Sequence, residues 1–205
     1  MTSVAKAKPK LPQAMHPHGR IGRVFGWLMG RLNKPAYRWT VDQLQLAQPK
    51  SILEIGFGTG QLLSLATKKL KLARVEGVDP SELMLETAQK KMRKFRKTAE
   101  VILKLGDDSA LPVTGSYDAI VALHSFQFWS HPATTLAHIR ALLSPNGRFV
   151  LVLRTKGSRK KSPNPLSRNG DEVSQAIAAA ERAGFAMRGM KGISKTSQGI
   201  VFAPS

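Results

Sequence analysis

Residues 51–61 read SILEIGFGTGQ, a short apolar run that holds one carboxylate, Glu54, and is followed by glycines at 56, 58 and 60. Glycine enters φ > 0 freely and has no Cβ, so three of them at alternate positions bring bare backbone close to a neighbour or ligand. From that point outward the chain alternates. RVEGVD (74–79), EVILKLG (100–106), YDAIVAL (117–123) and RFVLVLR (148–154) read as strands. Helical stretches fall between them, around 61–72, 81–97 and 132–143, and a turn, SPNG (144–147), precedes the last of these strands. The alternation argues a parallel sheet with right-handed crossovers and helices on both faces. Val173, Ile177 and Ala180 mark one more helix, which Gly184 ends, and strands near 185–191 and 199–203 are close enough to form a hairpin.

A chain of 205 residues suits one α/β domain. Its 42% hydrophobic and 22% charged residues belong to a globular class. Cysteine is absent, which removes disulfides, thiolate metal sites, iron–sulfur clusters and a cysteine nucleophile, and suits a reducing cytoplasm. Runs such as AIVAL and FVLVL fall far short of the ~18 apolar residues that span a bilayer. The expected localisation is therefore cytoplasmic, with peripheral attachment to a membrane as a variant.

The first 18 residues are basic and rich in proline, without periodicity, and read as a disordered tail. In 19–34, Ile21, Val24, Phe25, Leu28 and Leu32 share one helical face, flanked by Arg20, Arg23, Arg31 and Lys34. Gly22, Gly26 and Gly30 each cost such a helix about 1 kcal/mol against alanine, so it needs packing or a surface to form. Pro35 opens a second helix that stops near Pro49. Residues 19–49 are thus a helical segment in front of the glycine loop. Thirty-two Lys and Arg against 13 Asp and Glu give a formal charge of +19, which attracts polyanions or anionic surfaces without naming one. The runs KKMRKFRK (90–97) and RTKGSRKK (154–161) carry much of it.

The glycine loop fits neither common phosphate-binding pattern. A dinucleotide fingerprint needs a sixth-position glycine, where Gln61 or Leu63 stands, and a P-loop needs Gly-Lys-Ser/Thr, whereas Gln61 follows Gly60. E-x-G-x-G-x-G with an acid at the end of the next strand, Asp79, resembles the class I S-adenosylmethionine-dependent methyltransferases. GDDSALP (106–112), YDAIVALHSFQFW (117–129) and LLSPNGRFVLV (142–152) resemble that family's later motifs, in order. The resemblance covers about residues 50–153 and is nearest the small-molecule branch that acts on quinones, sterols and lipids. It implies a Rossmann-like, seven-stranded, mostly parallel sheet in the order 3-2-1-4-5-7-6. It also implies a methyltransferase domain over 50–205, with 19–49 as a helical lid.

The resemblance further implies S-adenosylmethionine as cofactor, S-adenosylhomocysteine as product, and no metal. Glu54, Gly56, Phe57, Gly58 and Gly60 would border the methionine part and ribose. Asp79, with Pro80 and Ser81, would hold the ribose, and Met84 would cover the adenine. Asp107 would accept from the adenine amino group beside Asp108 and Ser109, although Asp108 also reads as a loop or cap acid. Phe57 is bulkier than the small residues often found at its position. His124 and Ser125 sit where donor and acceptor meet; His124 is the one candidate base, and a plain hydrogen-bonding role is the alternative. Tyr37, Trp39, Phe128 and Trp129 are the candidate lid and acceptor-side residues, with a core role as the alternative for the last two. Without cysteine, methylation of cytosine carbon through an adduct is excluded. The expected acceptor is a small molecule or lipid. An RNA- or ribosome-directed enzyme, and docking on an anionic membrane, are the alternatives that the basic surface supports.

Overall fold

The computed structural model describes residues 30–156 and 167–205. Seven strands form one sheet: β1 (Ser51–Ile55), β2 (Arg74–Asp79), β3 (Glu100–Leu105), β4 (Tyr117–Leu123), β5 (Leu143–Arg154), β6 (Phe185–Ser194) and β7 (Ser197–Pro204). Their order across the sheet is β3-β2-β1-β4-β5-β7-β6. β1 to β5 pair in parallel, and β7 runs antiparallel to both its neighbours. This is the sheet order and fold class expected from the sequence.

Side chains alternate between two cores. α1 (Lys34–Gln45), α2 (Gln61–Leu70) and α3 (Glu82–Met92) cover one face, where Val41, Leu44, Leu63 and Ala88 meet Ile52, Val75, Val121 and Val152. α4 (Pro132–Leu142) and α5 (Gly170–Arg182) cover the other, where Leu136, Ile139 and Val173 meet Leu53, Ile120, Phe149 and Phe202. Burial on both faces is why the central strands read as continuous apolar runs rather than alternating ones. No helix intervenes between β3 and β4.

Two local features differ from the sequence expectations. SPNG is not a turn ahead of β5 but a bulge within it: the pairing passes from Tyr117–Leu143 to Ala119–Arg148, and the extra residues loop out. The helix expected near 81–97 ends at Met92 and is followed by a 3-10 turn, Arg93–Phe95. The expected tail (1–18) and residues 19–29 of the expected lid lie outside the described residues. Of the apolar stripe, only Leu32 is described, and it is exposed.

α1 is fastened to the sheet at the hairpin end. The Trp39 ring lies so close over Gly199 of β7 that a Cβ there would sit 2.2 Å from it. α5 opens with a capping box, in which Asn169 accepts from the Glu172 N–H and the Glu172 carboxylate accepts from the Asn169 N–H. Asn169→Ala is expected to cost about 1 kcal/mol. Thermal unfolding should show a melting temperature lowered by roughly 2–4 °C.

Candidate active site

The C-terminal ends of β1, β2, β4 and β5 share one rim, the place where open parallel sheets bind ligands. β1 leads into the glycine loop there. Gly56 has φ +81° and Gly58 φ +52°, a region that side chains disfavour. Gly56 needs glycine twice over, because a Cβ there would lie 2.6 Å from the Ser125 Cβ. At Gly58 nothing lies within 4 Å of that direction, so the backbone faces open space. Gly60 is the N-cap of α2.

Asp79, at the end of β2, fastens this loop. One carboxylate oxygen accepts from the Gly58 N–H at 2.7 Å, the other from the Ser81 N–H at 3.0 Å across Pro80. Ser81 caps α3 by accepting from the Met84 N–H, and Met84 is buried. Expected to face a ligand, Asp79 is first of all the loop's anchor.

Glu54 is 2% exposed, and its Oε2 is buried without a partner. Burial, with the Asp79 charge adding to it, holds its carboxyl well above the usual range. A hydrogen bond from the Leu63 N–H, in the first turn of α2, and the Lys91 charge offset this in part. A buried acid with an orphaned oxygen favours a cationic or hydrogen-bonding partner.

Phe57 does not enter this space. It is buried, and its ring closes on Gly77 of β2, where a Cβ would meet it at 2.8 Å. Its bulk is therefore taken up by the core, and the missing side chain at 77 makes the room.

The acids after β3 are turned to local work. Asp107 accepts from both the Ser109 N–H (2.9 Å) and hydroxyl (2.6 Å), which lower its pKa. Asp108 is buried and accepts from the Thr135 hydroxyl at 2.6 Å, tying the loop to α4. The donor is a side-chain hydroxyl, so Asp108 caps no helix here and acts as a loop acid.

After β4 the chain turns sharply. His124 holds φ +56°, strained for a residue with a side chain, and its N–H donates to the Val152 carbonyl. Ser125 donates to the Ile55 carbonyl beside the glycine loop. The His124 ring is engaged on both sides. Arg154, at the end of β5, donates from Nη2 to Nδ1 at 3.2 Å, so Nε2 carries the proton and faces the Ser197 hydroxyl at 3.1 Å. Burial and then the Arg154 charge push its pKa down to about 3. The one lone pair of the ring is thus committed to Arg154.

Above this rim stands Tyr37 of α1, whose phenol bonds to Asn33. Burial, with the Glu54 charge adding, pushes it up to about 12, while Arg154 pulls the other way. Arg154 also donates to the Asn33 side-chain oxygen at 3.3 Å. Tyr37 thus brings α1 to both Glu54 and Arg154. Trp39 is spent on Gly199. Trp129 is buried against Phe126 in the core of the opposite face, and Phe128 is half-buried in the 3-10 turn (Phe126–Phe128) after β4. Sequence reasoning missed Asn33, Arg154 and Ser197. Arg154 counted only as the first charge of a basic run, yet it closes an apolar strand on the same rim as Glu54 and Asp79.

Among the described residues no cluster of three or more His, Cys, Asp or Glu is placed to hold a metal ion. Nor is any described helix long and apolar enough to cross a membrane.

A family model described as "Methyltransferase domain" matches residues 53–149. The uncharacterized methyltransferase YdaC of Bacillus subtilis (strain 168) is 28% identical over 163 residues, which are 79% of this chain and 86% of YdaC. The malonyl-[acyl-carrier protein] O-methyltransferase of Halalkalibacterium halodurans is 36% identical over 114 residues. That match takes in 54% of this chain but 40% of the relative's length. Among solved structures, a SAM-dependent methyltransferase from Aquifex aeolicus superposes with a TM-score of 0.63 at 22% identity. The superposition covers 75% of this chain and 81% of that one, and shows the same fold.

Proposed function

Because the chain belongs to the class I S-adenosylmethionine-dependent methyltransferases, we propose that it transfers a methyl group to a small-molecule acceptor bound beneath α1, at the ends of β4 and β5. One observation carries this: the orphaned, buried oxygen of Glu54 and the open space at Gly58, with Asp79 one strand away. That combination suits a ligand with a cationic head and a neutral, polyhydroxylated middle. S-adenosylmethionine is such a ligand; when bound it supplies a methyl already activated by a sulfonium.

In this proposal Glu54 meets the amino-acid part and bare backbone at Gly56, Phe57, Gly58 and Gly60 lies against the ribose. Asp79, with Pro80 and Ser81, lies beside the ribose hydroxyls, Met84 backs the adenine, and Asp107 to Ser109 close its edge. His124 and Ser125 shape the passage to the acceptor, and Tyr37 covers it. The protein's own contribution is alignment and exclusion of water, worth ~7–11 kcal/mol of barrier in favourable cases.

The relative named malonyl-[acyl-carrier protein] O-methyltransferase supports an acceptor other than RNA. The basic run 90–97 closes α3 and leads to the start of β3, and its Lys91 is half-buried with its charge acting on Glu54. The rest of the second run, from residue 157, lies outside the described residues. Calorimetry with S-adenosylmethionine and S-adenosylhomocysteine tests the proposal. Both should bind the native chain, and Asp79→Ala should abolish binding because the loop loses its anchor. Absence of heat with both compounds for the native chain overturns it.

A further inference from the structure

Arg154 is the charge on this rim that the cofactor proposal leaves unused. It is half-buried, burial depresses its pKa, and among the described residues it forms no ion pair. Its partners are neutral: the Asn33 amide oxygen and the His124 Nδ1, both served by Nη2. Holding a guanidinium out of water without a counter-ion is expensive, and a cation so placed calls for an anion. Its planar fork of five donors keeps Nε and Nη1 for a carboxylate.

The groups around it sharpen this. The side chains that would serve as a base for a neutral acceptor are all unsuited. His124 has both ring nitrogens engaged, Tyr37 keeps its proton, and Glu54 lies across Tyr37 and is given to the cofactor's cationic head. A protonated amine would be repelled by Arg154. An acceptor that arrives already as an oxygen anion needs no base and is attracted by it.

We propose that the acceptor is a carboxylic acid, held as its carboxylate by Arg154 at the end of β5 and methylated on that carboxylate. His124 and Asn33 are positioning residues that set the guanidinium. In the transfer a carboxylate oxygen lone pair forms the new C–O bond while the C–S bond breaks, and its electron pair stays on sulfur. A carboxylate and a sulfonium become a methyl ester and a thioether, and no proton moves.

The proposal rests on the methyltransferase reading, so S-adenosylhomocysteine binding is measured first. No binding by the native chain sinks that reading, whereas binding leaves the present proposal to be judged by itself. With the site loaded with S-adenosylhomocysteine, octanoate and phenylacetate are titrated against the native chain, with octanol and octylamine as comparators. The carboxylates should bind and the amine should not. Arg154→Met should weaken the carboxylates by about 10–100-fold, the loss of a charged hydrogen-bond partner, with little change for octanol. Arg154→Lys should restore part of the affinity, and melting temperatures report whether each variant is folded. With methyl-tritiated S-adenosylmethionine, label transferred to the carboxylates should be released as volatile methanol by mild alkali, as esters are. Carboxylates that fail to bind the loaded native chain, equal loss of octanol and octanoate in Arg154→Met, or label stable to alkali on amine or hydroxyl acceptors overturns the proposal.

Discussion

Glu54→Gln should melt at a higher temperature than the native chain at pH 8 and yet bind S-adenosylmethionine about 10–100-fold more weakly. Both effects come from one buried carboxyl. In the unfolded chain Glu54 ionises with an ordinary pKa of about 4.3. In the folded chain burial and Asp79 raise it, so folding must retain or take up a proton once the pH passes the unfolded value. Stability therefore falls as pH climbs from the unfolded pKa towards the folded one. The amide removes that loss, so its advantage is absent below about pH 4 and grows above it. The gain should be a few degrees, at about 2–4 °C per kcal/mol for a chain of this size. Binding has the opposite sign, since a cationic ligand beside Glu54 stabilises the carboxylate and expels its proton. S-adenosylmethionine should bind the native chain more tightly as pH rises from 6 to 8, and its binding heat should vary with the ionisation enthalpy of the buffer. Glu54→Gln should show neither trend. A flat native profile together with an unchanged variant affinity would show that this carboxyl faces no ligand.

Gly56→Ala and Gly58→Ala should fail in different ways, although they are two residues apart. At Gly56 the left-handed backbone costs a side chain about 1–2 kcal/mol. The new methyl would also lie 2.6 Å from the Ser125 Cβ. Neither side gives way readily, because the Gly56 N–H donates to the Val78 carbonyl at 2.8 Å and Ser125 donates to the Ile55 carbonyl. Overpacking of this kind adds about 1–3 kcal/mol. The sum, about 2–5 kcal/mol, should lower the melting temperature by roughly 10 °C. Gly58→Ala meets no atom within 4 Å and bears only the backbone strain, so it should fold with a modest loss. Its methyl, however, projects into the space proposed for the ligand. It should lose S-adenosylmethionine affinity out of proportion to its stability. Chemical denaturation and calorimetry on the two variants separate these outcomes.

The sheet was legible because buried parallel strands advertise themselves as apolar runs, and the glycine loop because three bare positions have few other uses. The order of the strands was not written in those runs; it came with the resemblance, through the sequence of motifs after β1. Side-chain direction was harder. Phe57 looked like a threat to the ligand space, and its actual bed depends on Gly77, a residue 20 positions later that periodicity reads only as a weak point in a strand. The two oxygens of Asp79 could be given to a ligand on paper, because the Gly58 and Ser81 amides compete for them only once the loop is folded. Arg154 was hidden by composition: among 32 cations, the one at the end of an apolar strand does not stand out until the strand's neighbours are known.

The seat of Trp39 on Gly199 fixes the order in which this molecule can be completed. A ribosome delivers α1 early and the seat of its Trp39 late, after every other strand of the sheet. Until β7 has been laid beside β5, the Trp39 end of α1 has no floor, while Val41 and Leu44 already have Ile52, Val121 and Val152 to pack on. The newborn chain is therefore open at that one end, closed only when its last hairpin folds.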